Sequence, residues 1–139
     1  MYLENSAINK EVKKVHQLSN GTIYVFENFL VSEFKEGAII DFDCFVQLYH
    51  YLNSYSENKQ SFGYISNRVH KYTVKVADFM KTKSLGQKAY PMAVVTYDEE
   101  GENTFKFEKQ VNNCQAILCE SLDKAVTYLT NNILNVKLH

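Results

Sequence analysis

The chain has no tryptophan, one proline, three cysteines and no excess of either charge. Each shortage excludes something. Cys44, Cys114 and Cys119 are odd in number, contain no Cys-x-x-Cys pair and each lie in an apolar segment. That pattern speaks for small buried hydrophobes rather than metal or redox chemistry. With 15 basic and 16 acidic residues the net charge is −1. The broad positive footprint that neutralises phosphates is missing, so nucleic acid is not an expected partner. No stretch approaches the roughly 18 apolar residues of a membrane span. Met1-Tyr2-Leu3-Glu4-Asn5-Ser6 has neither the basic flank nor the apolar core of a secretory signal, and a cytoplasmic location is the expectation. Asn20-Gly21-Thr22 matches a glycosylation acceptor, but without such a signal only its turn chemistry is useful. Linkers, repeats and low-complexity tracts are also absent, which leaves one domain over residues 1–139.

What is present suits a packed core. A 139-residue chain, 45% hydrophobic and 22% charged, needs no staple, because a domain of this size buries about 65–70% of its unfolded surface. The 14% aromatic share is all Tyr and Phe and supplies core volume.

Residues 8–18 carry Val12, Val15 and Leu18 among lysines, the pattern of an edge strand. Asn20-Gly21 tolerates positive φ and predicts a tight hairpin into the β-branched and aromatic run 22–26. A third strand over 29–34 and a turn at Lys35-Glu36-Gly37 complete three antiparallel strands. Asp41 or Asp43 then caps a helix with Phe42, Phe45, Val46, Tyr49 and Leu52 on one face. Residues 62–65 read as a short central strand, parallel to a later one, since a helix before it acts as a crossover. Val76, Phe79 and Met80 mark a short helix within 74–86. The apolar run 89–97 reads as a strand covered on both faces, with Pro91 near its start. Asp98-Glu99-Glu100-Gly101-Glu102 reads as a solvated turn, too irregular in spacing for a calcium loop. Residues 104–109 alternate like a strand, although Phe107 and Val111 also sit four apart as on a helix. Residues 116–119 form another buried strand. Ser121 caps a last helix with Leu122, Ala125, Val126, Leu129 and Ile133 on one face. This order predicts an α/β layer, with helices on a mixed sheet that opens with antiparallel strands.

Seven stretches carry a family likeness: Gly21-Thr22-Ile23-Tyr24-Val25-Phe26-Glu27-Asn28, Val31-Ser32-Glu33 with Gly37, Phe62-Gly63-Tyr64-Ile65-Ser66-Asn67-Arg68, Tyr72-Thr73-Val74, Ala93-Val94-Val95, Phe107-Glu108-Lys109 and Ser121-Leu122-Asp123-Lys124-Ala125-Val126. In these the chain resembles the SpoIIAA-like, or STAS, family, and in particular its uncharacterised Bacteroidetes members. The resemblance implies a helix across 102–111, against the local alternation. It also implies a partner-binding module. In such domains a phosphorylated Ser or Thr sits in an Asp-Ser-Ser-Gly-like turn, which here would fall near 69–74. No such motif stands there, so Thr73, the nearest hydroxyl, does not inherit the role. Related folds also bind lipids or nucleotides, which the resemblance permits.

The candidate site is the stretch 61–73, where an apolar strand runs out into polar and basic groups. Asn67 and Arg68 at its end suit an anion, since a guanidinium offers a planar fork of donors and ligands collect at the carboxyl ends of strands. The structural alternative has Asn67 capping the next turn and Arg68 paired with Glu33 or Glu108. His70 and Lys71 stand beside them, yet no nucleophile or second carboxylate accompanies His70 by spacing, and no enzyme activity is expected. His16, His50 and His139 lie far apart, without zinc-ligand spacing. Tyr49, Tyr51, Tyr55, Tyr64, Tyr72 and Tyr90 are placed to line an apolar groove, Tyr49 as core and Tyr51 off the buried face. The leading expectation is thus a non-enzymatic module that needs no cofactor and binds a protein partner or small ligand through Asn67, Arg68, His70, Lys71, Tyr72 and Thr73. Homodimerisation is left open. The alternative is a small-molecule or lipid carrier with an apolar pocket between helices and sheet.

Overall fold

The computed structural model describes residues 1–86, 88–112 and 115–138, with only the backbone described at 83, 111, 112 and 132–138. Two short 3-10 segments, Leu3–Asn5 and Ala7–Glu11, precede β1 (Lys14–Leu18), β2 (Gly21–Val25) and β3 (Phe29–Phe34). There follow β4 (Ile39–Ile40), α1 (Phe42–Ser56), β5 (Gly63–Asn67), β6 (Thr73–Val74) and α2 (Val76–Ser84). The chain continues through β7 (Met92–Val95), α3 (Glu99–Asn112), β8 (Ile117–Cys119) and α4 (Leu122–Leu138).

Six strands form one mixed sheet in the order β1-β2-β3-β5-β7-β8. The first three are antiparallel, and β5, β7 and β8 are added parallel to β3. The expected α/β layer is therefore the observed one, with β5 at its centre and α1 inside the crossover from β3. No helix among the described residues is long and apolar enough to cross a membrane.

Strand alternation assigns the two faces of the sheet. Val31, Ile65, Ala93 and Val95 meet Leu122, Ala125 and Leu129 of α4, together with Leu3 and Ile8 of the 3-10 segments. Gly63 of β5 brings the backbone close to that helix: a Cβ there would stand 3.0 Å from the Leu129 side chain. On the opposite face, Leu48 and Leu52 of α1 cover Ile23, Leu30 and Tyr64, while Phe105 of α3 covers Val94. Phe34, Ile40 and Phe45, with Phe79 of α2 packed against them, close the end of that layer.

Several expectations change. Only the last part of 8–18 is strand; the preceding 3-10 turns bury Leu3 and Ile8. The hairpin loop is Ser19-Asn20, and Gly21 already pairs in β2 opposite Phe34. Gly21 has no positive φ; it is required because a Cβ would lie 2.5 Å from the Glu33 carbonyl oxygen. Asp41 does cap α1, accepting from the Cys44 N–H at 3.2 Å. The buried face of α1, however, runs through Phe45, Leu48, Leu52 and Ser56, and Val46 is exposed. Met80 of α2 likewise faces outward, while Thr82 is fully buried.

Residues 98–102 are no free turn. Asp98 accepts the Gly101 N–H at 2.7 Å and caps α3, whose first turn holds Glu99, Glu100 and Glu102, where carboxylates favour the helix dipole. Residues 104–109 are accordingly helical, as the family resemblance implied. The alternation there misleads because Phe105 and Glu108 turn inward while Phe107 is exposed. Ser121 caps α4 through the Lys124 N–H at 3.2 Å. Cys44 is half-buried and Cys119 buried, both as free thiols; Cys114 and His139 lie outside the described residues, as does the side chain of Ile133.

Candidate functional site

Because β5 is central, its successive side chains pass to opposite sides of the sheet. Ile65 and Asn67 face α4; Tyr64, Ser66 and Arg68 face α1, α2 and α3. This parity separates the two residues that the sequence had grouped as one anion site.

Asn67 is buried on the α4 side. Its Nδ2 donates to Glu33 Oε2 at 2.6 Å and to the Met1 carbonyl at 3.0 Å, and its Oδ1 accepts from the Tyr97 hydroxyl at 2.6 Å. Glu33 also accepts the Leu3 N–H at 2.7 Å. The Asn67 side chain thus fastens the N-terminal segment to the sheet instead of capping the next turn. Burial pushes the Glu33 carboxyl above its ordinary pKa, against the pull of its hydrogen bonds from Leu3 and Asn67. Burial, then the charge of Glu33, raises the Tyr97 phenol to about 12.

Arg68 lies on the other side. Its Nη1 donates to Glu108 Oε2 at 2.6 Å, and its Nε donates to Ser66 Oγ at 3.3 Å. The ion pair is largely withdrawn from solvent, the side chains being 12% and 10% exposed. Of the two acids the sequence offered, Glu108 is the partner, and Glu33 belongs to the opposite face. Burial works against the Arg68 charge, but Tyr72, Glu108 and Tyr64 outweigh it and hold the pKa above its ordinary value. The Tyr72 hydroxyl lies 3.1 Å from Ser66 Oγ, and Ser32 Oγ lies 2.5 Å from the Tyr64 hydroxyl. Burial raises the pKa of the Tyr64 phenol.

Arg68, Glu108, Ser66, Tyr64 and Tyr72 form the polar floor of a cavity of about 210 Å³ between the sheet and α1, α2 and α3. Phe34, Phe45, Leu52, Phe79, Met92 and Phe105 supply apolar lining; Lys88 and Lys109 also line it. Four of the six tyrosines read as a groove, Tyr49, Tyr64, Tyr72 and Tyr90, do border this space. Tyr51 and Tyr55 instead serve the edge strand: Tyr51 stacks on His16 with ring centroids 4.4 Å apart, and the Tyr55 hydroxyl bonds His16 Nε2 at 2.6 Å. Tyr51 is therefore half-buried against β1 and not the surface candidate its helical position suggested.

The rest of the predicted group scatters. His70 Nε2 lies 2.8 Å from the Tyr2 hydroxyl, and its Nδ1 lies 3.4 Å from Glu36. Lys71 donates its backbone N–H to Glu36 and pairs through Nζ with Glu100 at 2.7 Å. Thr73 is exposed in β6, which pairs with β4 in a separate two-stranded ribbon. That ribbon was not foreseen, since two residues per strand show no period. Of the six candidates, only Arg68 and Tyr72 meet at the cavity. The sequence missed the apolar liners as site residues because they carry no signal distinguishing them from ordinary core. Among the described residues no group of three His, Cys, Asp or Glu is placed to hold a metal ion.

Compared with known proteins, the chain matches no family model, no curated protein and no solved structure.

Proposed function

We propose that the chain is a non-enzymatic binding module that takes a small, mainly apolar molecule into the space between the sheet and α1–α3. The cavity of about 210 Å³ with an Arg68-Ser66-Tyr72 floor carries this reading. An apolar cavity of about 150 Å³ is enough to take up benzene, so this one has room for a ring with a short tail. Apolar walls with a few convergent polar groups are the usual make-up of ligand sites. Free thiols at Cys44 and Cys119 are in keeping with a reducing, cytoplasmic setting. Kinship with the SpoIIAA-like family belongs to the same proposal, supported by helices alternating with parallel β3, β5, β7 and β8.

A docking surface over 66–73 for a protein partner draws less support. His70 and Lys71 are engaged with Tyr2, Glu36 and Glu100, and Asn67 is buried.

Methyl-labelled protein titrated with 3-phenylpropanamide, a neutral probe, tests the reading. Shifts should concentrate at Ile40, Leu48, Leu52, Val74 and Met92, which border the cavity. Val31, Ile65 and Leu129 on the far face should stay unmoved. No shift at millimolar concentration with either this probe or its acid counterpart 3-phenylpropanoate, or shifts spread evenly over both faces, would overturn it.

A further inference from the structure

We infer that the molecule taken into the cavity is a small lipophilic carboxylate, its acid group held at Arg68 and its apolar body lying among the aromatic and aliphatic walls. This rests on the reading of the cavity as a ligand site and adds the chemistry of the ligand's head.

The donors come first. Arg68 spends Nε on Ser66 and Nη1 on Glu108, and Nη2 makes no hydrogen bond to any described residue. A guanidinium presents its donors in a plane that matches two carboxylate oxygens, and it is more weakly hydrated than an ammonium, so it gives up water at lower cost. Its position is fixed. Tyr72 and Phe105 offer ring faces 5.7 and 6.0 Å from the guanidinium carbon, and Glu108 tethers one end. A fixed donor loses less conformational freedom when a ligand arrives.

The charge points the same way. The ionisable chains of fixed sign that border the cavity are Arg68, Lys88 and Lys109 against Glu108 alone. Glu108 pairs with Arg68, and the two lysines, both exposed, add positive charge where the cavity meets solvent. Lys88 Nζ lies 5.6 Å from the Tyr90 ring, which holds an ammonium beside the apolar wall. A neutral guest would leave the remaining Arg68 donors, on a side chain only 12% exposed, without a partner, whereas a carboxylate supplies one. The apolar walls and the volume of about 210 Å³ then restrict the class to one ring or a short chain bearing one acid group.

The test compares 3-phenylpropanoate with its neutral near-isostere 3-phenylpropanamide on the unmodified protein at pH 7, by calorimetry and by methyl shifts. The carboxylate should bind about tenfold or more tightly than the amide, the scale of one charge-assisted hydrogen bond. Both should shift the same methyls. Amide binding equal to or tighter than carboxylate binding overturns the inference and leaves the cavity reading standing. Binding of neither removes both. Arg68→Lys, which keeps a cation beside Glu108 but loses the fork, should weaken the carboxylate about tenfold and the amide by less than about threefold. Equal loss for the two probes overturns the role of Arg68.

Discussion

Arg68 and Glu108 illustrate what one residue can decide. Removing one member of a withdrawn ion pair strands the other's charge, a cost of about 3 kcal/mol or more. Arg68→Ala should therefore lower the unfolding midpoint markedly in a denaturant titration; an unchanged midpoint would sink the view of Arg68 as an internal strut. Glu33 makes the opposite point. Its folded-state pKa lies above the unfolded value of about 4.3, so protonation favours the folded form, and stability is lost as pH rises from there through the folded pKa. Glu33→Gln cannot ionise and should flatten the fall in melting temperature as pH rises above the unfolded value. Parallel curves for the two proteins would refute this. Both acids were visible as partners for Arg68, but choosing between them requires strand parity. Glu33 shares a sheet face with Asn67, and Arg68 is one residue further along. A single-residue offset in β5 is enough to exchange their surroundings.

At the scale of elements, α4 is the clearest case of legibility. Leu122, Ala125 and Leu129 recur at helical spacing in the sequence, and all three are buried against β5 and β7. Leu129 is fully buried and stands against Gly63, where no side chain is available to fill a vacancy. Leu129→Ala should thus cost about 2–5 kcal/mol by chemical denaturation. A loss within experimental error would mean that α4 is not docked as described. Helix α1 was legible in its start and cap but not in its last turn, which runs to Ser56, nor in its rotation: Val46 and Leu48 are both apolar, and only the surface that receives the helix distinguishes them. Helix α3 was the hardest to read, because Phe105 and Phe107 mimic a strand while Glu108 is turned inward to meet Arg68. A charged residue buried for pairing disturbs the apolar period on which such readings depend.

On the scale of the whole molecule, the layer order followed from the sequence because polar turns separate the strands and three of the four helices open on a capping side chain, Asp41, Asp98 and Ser121. The cavity did not. Its walls belong to β3 through β7 and three helices that meet only after folding, so local patterning could not assemble them. The tyrosines gave a partial signal, for a phenol needs both an apolar wall and a polar partner. Tyr64, Tyr72 and Tyr90 found that combination beside the cavity.

The strand order also governs how the molecule meets its own copies. A sheet ends where its last strand leaves backbone groups unpaired, and such edges invite added strands and fibrous aggregation. Here one edge is β1, which carries Lys14 at its start and is buttressed by the Tyr51–His16 stack. The other is β8, three residues long and followed at once by the exposed Glu120. A charged margin on one side and a very short one on the other give an incoming strand little to pair with, so the sheet is built to stop at six strands.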